Sequence, residues 1–152
     1  MDFGAFAEKL MSMDDEAWAR HANPWSGWTR VATFPLLTTA IWSRDWVGWW
    51  ALLLTALVLA WTWINPRLFS PPASTDNWMS RGVIGERMWL ARNETPIPKH
   101  HEDMAALLNY ASAAALLPFI WGLVTLEIWP TLFGMTISMT AKLWFVDRMS
   151  QM

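Results

Sequence analysis

The sequence predicts an all-helical integral membrane protein with four transmembrane helices arranged as two antiparallel hairpins. Residues of the AVILMFWYC set make up 54% of the 152 residues, whereas only 16% are charged, below the roughly 25% usual in soluble domains. The charges are nearly absent from several long apolar stretches, and the lysines and arginines favour one side of the resulting topology. The length predicts a single membrane domain over residues 1–152.

Composition also excludes several classes of protein. The net charge is −2, which gives no basic patch for a nucleic-acid partner. The chain has no cysteine, so disulfides, thiolate metal sites and thiol nucleophiles are excluded. Residues 1–22 carry seven charged side chains and lack the apolar core of a cleavable signal peptide. We therefore expect the protein's own spans to direct insertion into the membrane.

The N-terminal segment, residues 1–22, has the pattern of an amphipathic helix. Its apolar positions are spaced three or four residues apart, as on one face of a helix. They are Phe3, Phe6, Leu10, Met13 and Ala17. Ser12 or Asp14 could restart the helix as an N-cap. We expect this helix on the membrane surface or against a partner.

Four apolar stretches are predicted to cross the membrane, at about residues 25–43, 46–64, 104–126 and 128–146. The uncharged part of the first, Val31–Ser43, would cover only about 20 Å of a hydrocarbon core of roughly 30 Å. Extension back to Trp25 gives a crossing length, with Arg30 reaching the interface. A re-entrant first segment, and so a three-span protein, is the alternative.

The distribution of positive charge favours four spans. In that arrangement residues 1–30, the loop 65–103 and the C-terminus share one side, which holds every lysine and arginine except Arg44. An excess of Lys and Arg marks the cytoplasmic side, and a three-span arrangement gives a much weaker bias. We therefore predict a prokaryotic inner (cytoplasmic) membrane protein with both termini in the cytoplasm.

Tryptophans and small residues agree with this arrangement. Ten of the 14 tryptophans fall near one of the two predicted interfaces, where aromatic side chains collect. Gly134 and Ser138 on the fourth span, and Ala111 and Ala115 on the third, predict the faces on which these helices pack. Lys142 is expected to reach the interface or to meet Asn109, Glu102 or Asp103 on the adjoining helix.

The loop 65–103 is predicted to contain a helix from Thr75 or Asp76 to about Arg92. Its apolar side chains surround the helix axis, so we interpret it as a helix buried against another surface. Gly82 and Gly85 leave a notch for close approach. Asn23-Pro24 and Asn65-Pro66 are interpreted as turns where the first hairpin enters and leaves the bilayer.

The candidate metal ligands are His21, His100, His101 and Glu102, all at the cytoplasmic rim. Imidazole with carboxylate suits a divalent metal such as zinc or iron, although adjacent histidines on a helix point about 100° apart. The alternative is that the acidic residues after His101 cap the third span. No span contains histidine, which argues against a haem or chlorophyll with an axial histidine. No catalytic residue and no other cofactor is predicted.

Four segments resemble a family of small uncharacterised prokaryotic integral membrane proteins. They are His-Ala-Asn-Pro-Trp-Ser-Gly-Trp-Thr-Arg at 21–30, Asn-Pro-Arg-Leu-Phe at 65–69, Gly-Glu-Arg-Met-Trp-Leu at 85–90 and Lys-Leu-Trp-Phe-Val-Asp-Arg-Met at 142–149. The resemblance covers about residues 14–149 and leaves the first helix as an addition. It implies a helical membrane fold and carries no activity or site residues.

The leading functional hypothesis is a non-catalytic accessory subunit of a larger inner-membrane complex, with respiratory and photosynthetic assemblies among the candidates. Its partners would be the lipid bilayer and other membrane subunits. The alternative is a metal-dependent membrane enzyme or sensor at the cytoplasmic rim. A small transporter or channel is the third hypothesis, although the spans lack the row of buried charges that a transporter uses.

Overall fold

The computed structural model describes residue 11 and residues 13–152, which form seven helices and no strand. The helices are α1 (Asp15–His21), α2 (Pro24–Trp42), α3 (Arg44–Val47), α4 (Trp50–Leu68), α5 (Trp78–Leu90), α6 (Lys99–Thr125) and α7 (Ile128–Ser150). The all-helical fold class is therefore confirmed for this part of the chain. Two helices, α4 and α6, are long and apolar enough to cross a membrane.

Helix α1 begins where the sequence predicted a restart. The Asp14 side chain accepts a hydrogen bond from Ala17 N at 2.8 Å, which satisfies one of the free N–H groups of the first turn. Asp15 and Glu16 place further negative charge there, which favours a helix N-terminus. The prediction of an amphipathic helix before Met13 falls outside the described residues.

Helices α2 and α4 form the first hairpin, and its boundaries differ from two predictions. Gly48 has φ +57°, a conformation that favours glycine, so the second long helix begins at Trp50 instead of Trp46. The interpretation of Asn65-Pro66 as a turn is wrong, because both residues lie buried within α4. Proline is tolerated here because it removes a single hydrogen bond close to the end of the helix.

Helices α6 and α7 form the second hairpin, on the face that the small residues predicted. A Cβ added to Gly134 would lie 2.6 Å from Ala115 O, so the two backbones meet at this glycine. Ser138 lies with its Oγ 3.0 Å from Ser112 Oγ. Ala111 was predicted to face α7 but is exposed. Ser112 faces α7 instead, because consecutive residues of a helix point about 100° apart.

Helix α5 lies against the C-terminal half of α7. Gly82 and Gly85 form the contact, because Cβ atoms added there would lie 2.4 Å from Val146 Cγ1 and 2.1 Å from Met149 O. The predicted notch is therefore present, and the surface that enters it is the chain's own last helix. This packing buries Met149, and α7 continues to Ser150, one turn beyond the predicted end of the fourth span at Val146.

The two hairpins touch each other directly at few places. Phe34 and Phe119 meet with ring centroids 4.8 Å apart, and Thr38 Oγ1 lies 3.5 Å from Met135 Sδ. At the end of the bundle that holds Arg44, its guanidinium donates to Leu123 O and, at 3.0 Å, to Val124 O. Helices α1 and α5 connect the hairpins at the opposite end.

Candidate functional site

A polar cluster lies where α1, α2 and α4 meet, at the end of the bundle opposite Arg44. His21 Nδ1 lies 2.8 Å from Ser26 Oγ, and Ser26 Oγ donates to Asn65 Oδ1 at 2.8 Å. Asn65 Nδ2 then donates to Thr29 Oγ1 at 2.8 Å. His21 is buried, and Ser26 and Asn65 are fully enclosed.

The partners give this chain of hydrogen bonds one direction. Because the Ser26 hydroxyl proton points to Asn65, Ser26 accepts from His21, which requires the His21 tautomer with its proton on Nδ1. His21 Nε2 is then an acceptor, and Arg30 Nη1 lies 3.5 Å from it. A histidine that donates to serine cannot remove the serine proton. The arrangement therefore holds the three helix ends together and does not activate Ser26 as a nucleophile.

Charged side chains adjoin this cluster on the side of α5 and α7. Lys142 Nζ lies 2.6 Å from Glu86 Oε1, and both side chains are partly exposed. The sequence analysis expected Lys142 to reach the interface or to meet Asn109, Glu102 or Asp103, and its partner is none of these three residues. Helix α5 packs on α7 through its glycines, so Glu86 reaches Lys142 first. Arg30 adds a second positive charge. The formal charges of Arg30, Lys142 and Glu86 therefore sum to +1.

Burial and these charges fix the protonation states. Burial first, and then the Arg30 guanidinium, lower the pKa of His21 to about 4, while the Glu86 carboxylate opposes this shift. Burial alone would raise the pKa of Glu86. The charge and hydrogen bond of Lys142, with smaller contributions from His21 and Arg30, outweigh it and hold this pKa below its usual value. At neutral pH the histidine is neutral and the carboxylate is charged.

We predict that the protein loses stability as the pH falls from 6.5 towards 4. Unfolded His21 takes up its proton near pH 6.5, whereas folded His21 resists protonation to about pH 4, so the unfolded state binds more protons in this window. The loss between pH 7 and pH 5 should be about 2 kcal/mol, from ~1.4 kcal/mol per pKa unit. Glu86 adds to the loss only at lower pH.

The measurement is the unfolding midpoint in detergent at a series of pH values. His21→Asn is the control, because asparagine does not titrate and the slope between pH 6.5 and 5 should flatten. An unchanged slope in this variant would show that other groups cause the pH dependence.

The four predicted metal ligands do not assemble into one site. His21 belongs to the polar cluster, while His100 and His101 lie in the first turn of α6 with ring centroids 4.2 Å apart. Glu102 Oε1 lies 3.7 Å from Arg92 Nε. The described residues contain no group of three or more His, Asp or Glu side chains that could hold a metal ion. The metal hypothesis stays a prediction, which elemental analysis of protein without a histidine tag would test.

The acidic residues do not cap α6 by a side-chain hydrogen bond. The N-cap is Pro98, and no side chain caps this end, although Glu102 places negative charge in the first turn. That charge favours the N-terminus of a helix electrostatically. The capping interpretation therefore holds only in this weaker sense.

A model of a family of unknown function (DUF6653) matches residues 4–152. The chain belongs to this family. The match begins near the N-terminus, so the first segment belongs to the DUF6653 region and is not an addition. No curated protein and no solved structure matches the chain.

The polar cluster and the charged side chains that adjoin it draw on all four segments that carried the resemblance. Residues 21–30 supply His21, Ser26, Thr29 and Arg30, and the segments at 65–69, 85–90 and 142–149 supply Asn65, Glu86 and Lys142. Sequence reasoning selected His21 and noted Lys142, but it missed the other members. These residues could have been found as the polar residues at the ends of the apolar stretches, because the site lies at those ends.

Proposed function

We propose that the protein is a four-span protein of a prokaryotic inner membrane and that it serves as a non-catalytic accessory subunit of a larger membrane complex. The outward faces of α4 and α6 carry the proposal. Leu52 and Leu57 are 62% and 59% exposed, and Leu117 and Val124 are 73% and 70% exposed. Apolar surface of this extent is covered by lipid or by another subunit.

The two ends of the bundle support four crossings. Helix α2 has 19 residues, as many as α4 beside it, and at 1.5 Å per residue this length is about 28 Å. The polar cluster brings Arg30, Glu86 and Lys142 to one end, while Arg44 caps α6 at the other. In this arrangement one end holds every lysine and arginine except Arg44, and such an excess agrees with the cytoplasmic placement of the loop and both termini.

Cysteine labelling tests this topology, and the chain offers a clean background because it has no cysteine. Single replacements at the exposed residues Ala19, Asp45, Ser74 and Glu127 would be treated with a membrane-impermeant maleimide. We expect labelling at 45 and 127 in intact cells, and at 19 and 74 only after disruption. Labelling of position 19 in intact cells would contradict four spans and favour a re-entrant first segment.

The closed polar cluster supports a non-catalytic role. Ser26 has no exposed surface, its proton is directed to Asn65, and a substrate would have to separate α1, α2 and α4 to reach it. The surface against which the sequence analysis expected α5 to be buried is, in part, the chain's own helix α7. We therefore expect a partner subunit to bind at the large apolar faces of α4 and α6.

Isolation from native membranes tests the accessory role. Protein extracted in a mild detergent should elute at a size well above that of a monomer, with defined membrane proteins in stoichiometric amount. Elution as a lone monomer, with the same result after chemical crosslinking in the membrane, would contradict the proposal. The topology experiment is independent of this outcome, so the membrane placement and the accessory role are tested separately.

A further inference from the structure

Arg148, in the last turn of α7, has no hydrogen-bond or ion-pair partner among the described residues. Its Nε–H is buried and donates to no acceptor in that part of the chain. The rest of the side chain, which is partly exposed, makes no hydrogen bond or ion pair there either. A guanidinium has five N–H donors in a fixed plane, and a buried donor without an acceptor costs free energy. The guanidinium therefore calls for an acceptor that does not belong to the described residues.

The neighbouring carboxylate of Asp147 is already engaged. Asp147 Oδ1 accepts from Trp78 Nε1 at 2.9 Å, and Asp147 Oδ2 accepts from Gln151 Nε2 at 3.0 Å. Glu102, near the start of α6, faces Arg92 at 3.7 Å. Arg148 is close enough to His101 for their charges to interact. This corner of the molecule therefore presents positive charge that no carboxylate of the described residues neutralises by direct contact.

A groove of about 340 Å³ adjoins this corner. Its apolar lining includes Met88, Ile97, Pro98 and Met152, and its polar lining includes His101 and Gln151. Gln151 is the C-cap of α7 and its backbone N–H donates to Arg148 O at 3.4 Å, so this wall of the groove adjoins Arg148. The corner thus combines an apolar groove with the partly exposed guanidinium of Arg148.

We propose that Arg148 and this groove bind the phosphate of an anionic phospholipid, with the guanidinium on the phosphate oxygens and the glycerol and first acyl carbons in the groove. Arginine presents parallel N–H groups that match phosphate oxygens in pairs. Basic pockets beside transmembrane helices on the cytoplasmic side are suited to anionic lipid headgroups. The inference that a lipid supplies the phosphate rests on the membrane placement proposed above. The inference that the site binds a phosphate rests on Arg148 alone.

Titration of the full-length protein in a neutral detergent with short-chain phosphatidylglycerol tests the proposal, with bound lipid counted by native mass spectrometry. Arg148→Gln should weaken binding about tenfold or more, since it removes the charge and the fork of donors. Arg81→Gln is the matched control, because Arg81 is an exposed arginine at the same end and pairs only with exposed Asp76. Equal binding by the two variants would overturn the site.

Two further arms separate the sources of phosphate and guard against a variant that does not fold. Thr95→Trp changes an exposed residue of the groove wall and should weaken phosphatidylglycerol binding while leaving inorganic phosphate, at matched ionic strength, unaffected. Arg148→Lys keeps the charge and should still bind several-fold more weakly than the unaltered protein. Inorganic phosphate that binds as tightly as the lipid, with no effect of Thr95→Trp, would overturn the lipid assignment. Phosphate binding needs no bilayer, so this result is distinct from a failed topology experiment.

Discussion

Replacement of Gly85 by alanine is expected to lower the free energy of unfolding by about 3 kcal/mol, the upper part of the range for overpacked sites. A Cβ at this position would lie 2.1 Å from Met149 O and 3.0 Å from Met149 Cα. Both atoms belong to the backbone of α7, so no side-chain rotation can make room. Helix α5 would have to move away from α7, which would disturb the Glu86–Lys142 pair and the contacts of Trp89 with Phe145.

Gly82→Ala provides a graded comparison on the same helix face. The nearest atom to its added Cβ is Val146 Cγ1 at 2.4 Å, with Val146 O at 3.1 Å, so a side-chain shift relieves most of the clash. The expected loss is about 1 kcal/mol. In an exposed helix the same change would stabilise by up to ~1 kcal/mol, so the direction of the effect is itself informative.

Thermal unfolding in detergent, followed by near-ultraviolet circular dichroism, measures both variants. Gly85→Ala should unfold at the lowest temperature, Gly82→Ala at an intermediate one, and the unaltered protein at the highest. A Gly85→Ala variant as stable as the unaltered protein would show that α5 does not pack on α7 through this glycine.

The helical fold class could be predicted because apolar length and charge distribution are properties of the sequence itself. The same holds for the small residues of the second hairpin, since close approach of helices needs a small side chain on at least one of them. Gly134 and Ser138 are four residues apart, so helix geometry alone predicts that they lie on the same face of α7. The difference between Ala111 and Ser112 could not be predicted, because it depends on the rotation of α6 about its axis.

Helix ends and charge partners depended on contacts between distant segments. Helix α7 continues to Ser150 because Met149 packs against α5, and nothing local in the sequence reports this contact. Lys142 meets Glu86, 56 residues away, and their proximity follows from the docking of a helix that was treated as part of a loop. Sequence reasoning considered only partners on the adjacent span.

The candidate site was hidden for a related reason. Ser26, Thr29 and Asn65 are residue types typical of turns and helix ends, and each has that local explanation. Asn65 follows a proline-free apolar run and precedes Pro66, which favours a turn on local grounds. Only the antiparallel alignment of α2 and α4 shows that Asn65 faces Ser26 and Thr29. His21 was selected for its imidazole, and in the structure its ring nitrogens face Ser26 and Arg30.

Asn65→Leu is expected to cost about 3 kcal/mol of stability, although leucine is similar in volume and suits an apolar helix. The replacement leaves the buried Ser26 hydroxyl without its acceptor and removes the donor to Thr29 Oγ1, at roughly 1–3 kcal/mol for each group left unpaired. Asn109→Leu is the matched control. Asn109 is partly buried on α6, and its side chain makes no hydrogen bond within the described residues, so the same change there should be nearly neutral.

A double-mutant cycle separates the hydrogen bond from the other effects of the leucine. Ser26→Ala alone should destabilise the protein, because it leaves Asn65 Oδ1 and His21 Nδ1–H without a partner. The Ser26→Ala/Asn65→Leu double variant should lose less than the sum of the single losses, since the second change removes a group that the first had left unpaired. Additive losses would show that Ser26 and Asn65 act independently. The sub-additive result would establish that the ends of α1, α2 and α4 are held together by one connected chain of hydrogen bonds.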